Sequence, residues 1–338
     1  MKASQDNSQS YKAYRVYQVG ERVEGRLEAV TLPALAPGEV GVQVHYSSIN
    51  FKDALGASGR GKIYKKFPIT AGIDAAGVVA ASADSRFQPG MEVLVTGCGF
   101  GESHDGGYTE YSQVPADWLL PLPAGLSLYE AMALGTAGFT SALCIQRLED
   151  NGQTPAKGPF VVTGASGGVG SLAICMLARL GYEVVAVSGK AELKPYLLGL
   201  GASRVLSPEE VLREELRLLG SVAWGGAIDN VGGRILAALL ARTQLWGNVA
   251  SVGLAESAEL HSSVMPFILR GVSLLGISSA NCPYPLRQKL WQRLGGELKP
   301  AKLSEIAQHE VSLSELSRSF DAFLERRVVG RYVVNCRR

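Results

Sequence analysis

Phe160-Val161-Val162-Thr163-Gly164-Ala165-Ser166-Gly167-Gly168-Val169-Gly170 is the stretch on which the fold turns. Its apolar opening reads as a buried strand and its glycines as a tight turn, and Ser171 to Leu180 then repeats apolar residues at helical spacing. Strand, glycine turn and helix together bring backbone N–H groups and the positive end of a helix to a pyrophosphate. Gly164 permits the tight turn, Gly167 and Gly168 let backbone approach the phosphates, and Gly170 lets the helix pack closely on its strand. Ser166 and Val169 lie between them and join the candidate cofactor contacts. The spacing G-x-x-G-G-x-G departs from strict G-x-G-x-x-G, so the flanking strand and helix carry the inference.

The next strand decides which dinucleotide. Glu183-Val184-Val185-Ala186-Val187 ends in Ser188-Gly189-Lys190, about 20 residues beyond the turn, where an NAD site places an acidic residue for the ribose 2′-OH. A hydroxyl, a glycine N–H and a cation instead welcome a 2′-phosphate. Arg204, at the start of the third strand, is a second candidate cation. Together they favour NADPH.

Outward from this unit, 338 residues suffice for two cored domains. The hydrophobic fraction of 46% and charged fraction of 19% are ordinary for a globular chain, and a net charge of +2 offers no general footprint for nucleic acid or membrane. Residues 1–10 are polar with no apolar h-region, so a disordered tail and no secretory signal are expected. No apolar run is expected to approach the length and apolarity of a membrane span. The cysteines, Cys98, Cys144, Cys175, Cys282 and Cys336, are odd in number and scattered, as free thiols in a cytoplasmic protein would be.

Two textures divide the chain. From Tyr11 to Thr136, β-forming runs (Val40–Tyr46, Gly77–Ala81, Met91–Thr96 and Tyr108–Val114) are punctuated by Pro37-Gly38 and Pro89-Gly90. From Ala137 to Leu298, strands alternate with helices. The strands are Phe160–Thr163, Glu183–Val187, Arg204–Leu206, Gly226–Ile228, Asn248–Val252 and Val272–Ile277, and the helices include Pro208–Leu219 and Arg234–Thr243. That alternation predicts an α/β, doubly wound parallel sheet. The remainder, 299–338, holds a helix and a last strand, Arg331–Val334, expected to rejoin residues 11–136.

At this point the chain resembles the medium-chain dehydrogenase/reductase superfamily, a GroES-like β-barrel domain followed by a Rossmann domain. Within it the chain is most similar to the zinc-independent quinone-oxidoreductase branch and its AcuI/YhdH-type acryloyl-CoA reductases. The match is carried by Ser47 to Leu55, Gly72 to Gly77, Gly135 to Thr140, Val162 to Gly170, Gly201 to Leu206 and Val264 to Arg270. Where zinc enzymes of this fold place a ligand Cys, the chain has Asn50-Phe51-Lys52-Asp53, and where they place Gly-His-Glu it has Gly72-Ile73-Asp74. With His45, His104, His261 and His309 dispersed, no metal is expected.

The resemblance implies hydride transfer from NADPH to the β-carbon of an enoyl thioester, with a quinone as the alternative acceptor. Asn50, Phe51 and Asp53 are the catalytic candidates. Asn50 would donate to the enolate or orient the cofactor amide, and Asp53 would orient Lys52 or a water. A cap at a strand-to-helix junction is the other reading of both. Relatives carry Tyr where this chain has Phe51, which leaves protonation to solvent, Tyr64 or Tyr108, and Asn-Phe is common in general quinone reductases. Thr136, Leu254, Ile268, Ser279 and Arg331 complete the implied cofactor contacts, and Asp229 is expected as a helix N-cap. Arg60, Lys62, Tyr64 and Lys65 form a basic loop that either clasps the phosphates of CoA or is solvated surface. The resemblance further implies a homodimer paired through Val272–Ser279.

Overall fold

The computed structural model describes residues 10–213 and 218–338. It opens with β1 (Ser10–Val19) and β2 (Arg22–Thr31), an antiparallel hairpin in register from Ser10↔Thr31 to Val19↔Arg22. The tail expected over residues 1–10 therefore lies outside the described residues except for Ser10, which already pairs. Next come β3 (Glu39–Ile49), α1 (Phe51–Ala57), β4 (Ile69–Thr70), β5 (Asp74–Ser82), β6 (Glu92–Thr96), β7 (Tyr111–Pro115) and β8 (Leu120–Pro121). Every pairing among these strands is antiparallel: β4 joins β1, β3 joins β5 and β7, and β6 joins β5 and β8.

Then follow α2 (Leu128–Asp150), β9 (Phe160–Thr163), α3 (Gly168–Arg179), β10 (Val184–Val187), α4 (Lys194–Gly199), β11 (Arg204–Leu206) and α5 (Pro208–Leu212). The series continues through β12 (Trp224–Asp229), α6 (Gly233–Arg242), β13 (Thr243–Ser251), α7 (Met265–Arg270), β14 (Ser273–Gly276), α8 (Tyr284–Gly295) and α9 (Leu303–Ile306). The strands make one six-stranded sheet in the order β11-β10-β9-β12-β13-β14, parallel throughout. β9, β10 and β12 are buried along their whole length, as strands covered on both faces must be. Between β9 and β12 the winding reverses, and the crevice at the carboxyl ends there is where such sheets hold ligands.

The chain ends with β15 (His309–Ser312), α10 (Leu316–Leu324) and β16 (Tyr332–Asn335). β16 pairs antiparallel with β3, and β15 runs parallel beside β16. Phe320 of α10 packs on Tyr14 and Tyr108 with ring centroids 5.7 and 6.1 Å apart.

Contacts divide the chain into two compact units. The first runs to Thr136 and regains His309–Arg327 and Arg331–Arg338; the second holds Ala137–Gln308 and Val328–Gly330. The return thus begins at His309, later than the expected 299, because Leu303 and Ile306 of α9 are buried in the second unit. The helix expected over Pro208–Leu219 is described only to Leu212, and residues 214–217 lie outside the description. One further expectation is corrected. α2 is by length and composition apolar enough to cross a membrane, with 18-residue mean hydropathy 1.2, but 83% of that window is buried inside the protein. It is a core helix, interrupted at Gly135 (φ 51°, ψ −155°).

Candidate active site

In the first unit a buried polar cluster forms where β3 ends, α1 begins and β5 starts. Asp74 is fully buried, and its carboxylate gathers donors from three segments. Oδ2 accepts from Ser48 Oγ (2.6 Å), Asn50 Nδ2 (2.7 Å) and the Thr136 N–H (2.9 Å), and Oδ1 accepts from Thr136 Oγ1 (2.5 Å). Ser47 Oγ donates to the Asp74 carbonyl at 2.6 Å. Arg331, 2% exposed, donates to Asn50 Oδ1 (3.1 Å) and to the carbonyls of Ile49 (3.2 Å) and Ala133 (3.1 Å). A buried carboxylate survives only with its lone pairs met, and this one is met by donors on every side. Burial pulls the Arg331 guanidinium below its ordinary value, while Asp74, Tyr108 and Asp53 pull the other way.

Asp53 is the third residue of α1, and its Oδ2 accepts from the N–H of Asn50, the helix N-cap, at 2.9 Å, the return half of a capping box. Its Oδ1 accepts from the Ile73 N–H at 3.1 Å. Burial, then repulsion from Asp74, raises its pKa to about 7, against the hydrogen bonds from Asn50, Ile73 and Tyr108. The fold therefore holds this proton more tightly than the unfolded chain, so the stability it lends is full below the ordinary carboxylate pKa and is lost as pH rises through about 7. Asp53→Asn keeps an oxygen to accept one backbone N–H and has nothing to titrate. Between pH 5 and 8 the wild-type melting temperature should fall more steeply than that of the variant, and parallel curves would refute the assignment.

Lys52 pairs with Glu102 (2.6 Å), so Asp53 does not orient it. Phe51, the first residue of α1, is 46% exposed. Tyr108 is buried and donates to the Ser48 carbonyl at 3.2 Å. Tyr64 turns its buried hydroxyl inward without a partner among the described residues, its ring edge-on to Phe67. Burial raises the pKa of both phenols. Neither fits a proton donor, and Tyr64 leaves the candidate CoA clasp, whereas Arg60, Lys62 and Lys65 are exposed.

In the second unit the glycine turn lies between β9 and α3. Gly164 takes φ +57°, and Gly167 caps α3 with no side-chain hydrogen bond, leaving the first N–H groups of the helix open to an anion. Ser188 Oγ accepts from the Lys190 N–H at 3.2 Å, and Lys190 Nζ donates to the Val328 carbonyl at 3.0 Å. Half-burial lowers the Lys190 pKa. The Gly330 N–H meets the Ser166 carbonyl at 3.0 Å. Turn and Ser188-Gly189-Lys190 follow the carboxyl ends of the paired strands β9 and β10. Arg204 is set back from them, at the amino end of β11 opposite Val185, because its strand ends at Leu206.

Leu254 and Ile268 are 67% and 72% exposed. Ser279 follows β14, and its carbonyl is held by the buried Arg287 at 2.9 Å, the guanidinium lying 4.8 Å from the Phe139 ring centroid. Asp229 is not a helix N-cap. That position in α6 belongs to Gly232, whose N–H donates to Asp229 Oδ2 (2.7 Å), while Thr163 Oγ1 donates to Oδ1 (2.6 Å). Its burial raises its pKa to about 6.

The structure thus gathers Asn50, Asp53, Thr136 and Arg331 in one unit and the glycine turn, Ser188 and Lys190 in the other. Thr136 and Arg331, expected as cofactor contacts, spend hydrogen bonds on Asp74 and Asn50. The residue missed from sequence is Asp74, and its signal was the carboxylate standing at the ligand position Gly72-Ile73-Asp74. Among the described residues, no three His, Cys, Asp or Glu side chains gather to hold a metal ion.

Residues 36–124 match the alcohol dehydrogenase GroES-like domain and residues 168–295 the zinc-binding dehydrogenase family. Acrylyl-CoA reductase AcuI of Ruegeria pomeroyi is 45% identical over 93% of this chain and 95% of its own length. The Salmonella enterica yhdH oxidoreductase, solved in complex with NADP, is 45% identical, covers 96% of this chain and 100% of its own, and superposes with a TM-score of 0.92. The Bacillus subtilis protein yhfP, which carries a quinone-oxidoreductase name and was solved with NAD bound, is 46% identical over 97% of this chain and 100% of its own, with a TM-score of 0.95. With likeness of this degree along almost its whole length, the chain belongs to the medium-chain dehydrogenase/reductase superfamily, in the quinone-oxidoreductase branch that holds the YhdH and AcuI proteins.

Proposed function

We propose that this protein is an NADPH-dependent reductase of activated C=C bonds whose acceptor is a short enoyl-CoA such as acryloyl-CoA. The observation that carries the reading is the Asn50 carboxamide, clamped on both sides with one N–H unspent among the described residues. Charge gathers on the thioester oxygen of an α,β-unsaturated acceptor when hydride adds to its β-carbon, and a fixed neutral donor is suited to it. NADPH supplies that hydride when bound. Backbone N–H groups of Gly168 and Val169 meet its pyrophosphate beside Gly167, whose own N–H is held by the Gly164 carbonyl at 3.0 Å, and Ser188, the Gly189 N–H and Lys190 meet its 2′-phosphate, a stronger acceptor for Lys190 than the Val328 carbonyl it now holds. Leu254, Ile268 and Ser279 complete the cradle. Protonation of the α-carbon falls to solvent, since Phe51 has no hydroxyl and both nearby phenols are buried.

Arg60, Lys62 and Lys65 meet the phosphates of CoA in this reading, and AcuI supports it by name and likeness. The same reading makes the protein a cytoplasmic homodimer joined through β14, the edge strand of its sheet, with no nucleic-acid or membrane partner. A second reading, reduction of quinones, is favoured by Phe51 and by the name yhfP carries.

Oxidation of NADPH, followed by absorbance with acryloyl-CoA or 1,4-benzoquinone as acceptor and NADH as control, separates the two. Fast NADPH-selective turnover of acryloyl-CoA is expected. The paired charge reversals Lys62→Glu and Lys65→Glu should then raise KM for the thioester at least ~10-fold, the loss of about one charge-assisted contact, and spare the quinone. Turnover of quinone alone would overturn the thioester reading, and equal effects on both acceptors would leave the basic loop as surface.

A further inference from the structure

The two ends of the Asn50 carboxamide are told apart by charge. Its Nδ2 faces the Asp74 carboxylate at 2.7 Å and its Oδ1 faces the Arg331 guanidinium at 3.1 Å. Turning the amide over would set oxygen against carboxylate and NH2 against guanidinium, so only one orientation is satisfied. Both clamping groups are themselves immobilised. Asp74 is held by Ser48 and by both donors of Thr136, and Arg331 by the carbonyls of Ile49 and Ala133. The cluster has no room to rearrange: a Cβ on Gly135 would lie 2.5 Å from Ser48 Oγ, 2.6 Å from Arg331 Nη2 and 2.7 Å from Asp74 Oδ2.

We propose that Asp74 and Arg331 are positioning residues: they lock the Asn50 carboxamide in the orientation that points its unspent N–H at the acceptor oxygen. The inference rests on the reading of Asn50 as the donor to that oxygen. It assigns Asp74, which stands at the Glu of the Gly-His-Glu of zinc enzymes of this fold, a role exercised wholly through a neighbouring amide. In Asp74→Asn a neutral amide oxygen replaces the carboxylate opposite Asn50 Nδ2, the charge-assisted half of the clamp is lost, and the Asn50 amide is held less firmly in its one orientation.

The test is a double-mutant cycle on the full-length protein with Asp74→Asn, Asn50→Ala and the pair, using whichever acceptor is turned over. Asp74→Asn should lower kcat at least ~10-fold, within the ~10²–10³ lost when a whole oxyanion donor is removed, and leave the Kd for NADPH, read by fluorescence titration, within twofold. The double variant should be no slower than Asn50→Ala alone, because residues acting as one unit do not multiply. A merely structural Asp74 would cost the same factor in either background, and that result overturns the proposal. Ser48→Ala, which loosens Asp74 while leaving its bond to Asn50, provides a milder second variant whose smaller loss should likewise vanish without Asn50. If Asn50→Ala itself turns over at the wild-type rate, the donor reading fails and this one with it; multiplying losses sink only this one.

Discussion

Gly135→Ala should all but abolish turnover, lowering kcat/KM at least ~10²-fold, as misplacement by about 1 Å at a reacting centre does. Gly135 interrupts α2 at φ 51° and ψ −155°, a conformation open in practice only to glycine. A methyl group there meets three side-chain atoms of the Asp74 cluster within 2.7 Å, and none of the three is the loose end of a solvated chain. Backbone strain of about 1–3 kcal/mol and overpacking of about 1–3 kcal/mol act together, so the variant should also melt several degrees lower. Gly152→Ala is the matched control. It too has positive φ (+70°), but nothing lies within 4 Å of its added methyl. It should carry the strain without the clash and keep its kcat. If Gly135→Ala retained more than a third of wild-type kcat/KM, the packed cluster would not be what positions the chemistry.

How much of this was legible beforehand varies with the range of the interactions. The parallel sheet was: each strand is an apolar run ended by a turn, and all six expected strands appear, with edges shifted by a few residues. β1 and β2 were passed over although Gly20-Glu21 makes a two-residue turn between alternating stretches, because many outward positions are charged and the apolar half is thin. α1 was read only as one of two alternatives, through a cap at a strand-to-helix junction. Its seven residues are too few for a periodic pattern, and its signal was the capping pair Asn50 and Asp53 at its start.

The site shows the same division. The glycine turn and Ser188-Gly189-Lys190 are local in sequence and were read there. Asp74 takes its meaning from Ser48, Asn50, Thr136 and Arg331, drawn from β3, the α1 cap, the break in α2 and the entry to β16, and no local pattern links these. Arg331 was named for the cofactor by resemblance, but its side chain serves Asn50. Asp53 illustrates how one motif supports two readings: the N-x-x-D spacing fits a catalytic carboxylate as well as a cap, and only burial against Asp74 and the two backbone N–H bonds decide for the cap.

Gly170→Ala should cost at least ~10-fold in NADPH affinity, about 1.4 kcal/mol or more, without touching the acceptor chemistry. Gly170 sits in the first turn of α3 with an ordinary helical backbone, so the penalty is one of contact alone. Its Cβ would lie 2.4 Å from the Gly164 carbonyl oxygen and 2.7 Å from the Ala165 Cα, and both are backbone atoms that cannot swing aside. The turn must open, and opening it moves the very N–H groups that an anion needs aligned at the helix start. Gly199→Ala in α4 adds the same methyl where nothing lies within 4 Å and should bind NADPH as the wild type does. Fluorescence titration without acceptor reads the effect directly and does not depend on whether thioester or quinone is the substrate. Unchanged affinity in Gly170→Ala would mean that the pyrophosphate is not held at this turn, and the reading of residues 160–170 from which the fold was argued would lose its chemistry while keeping its geometry.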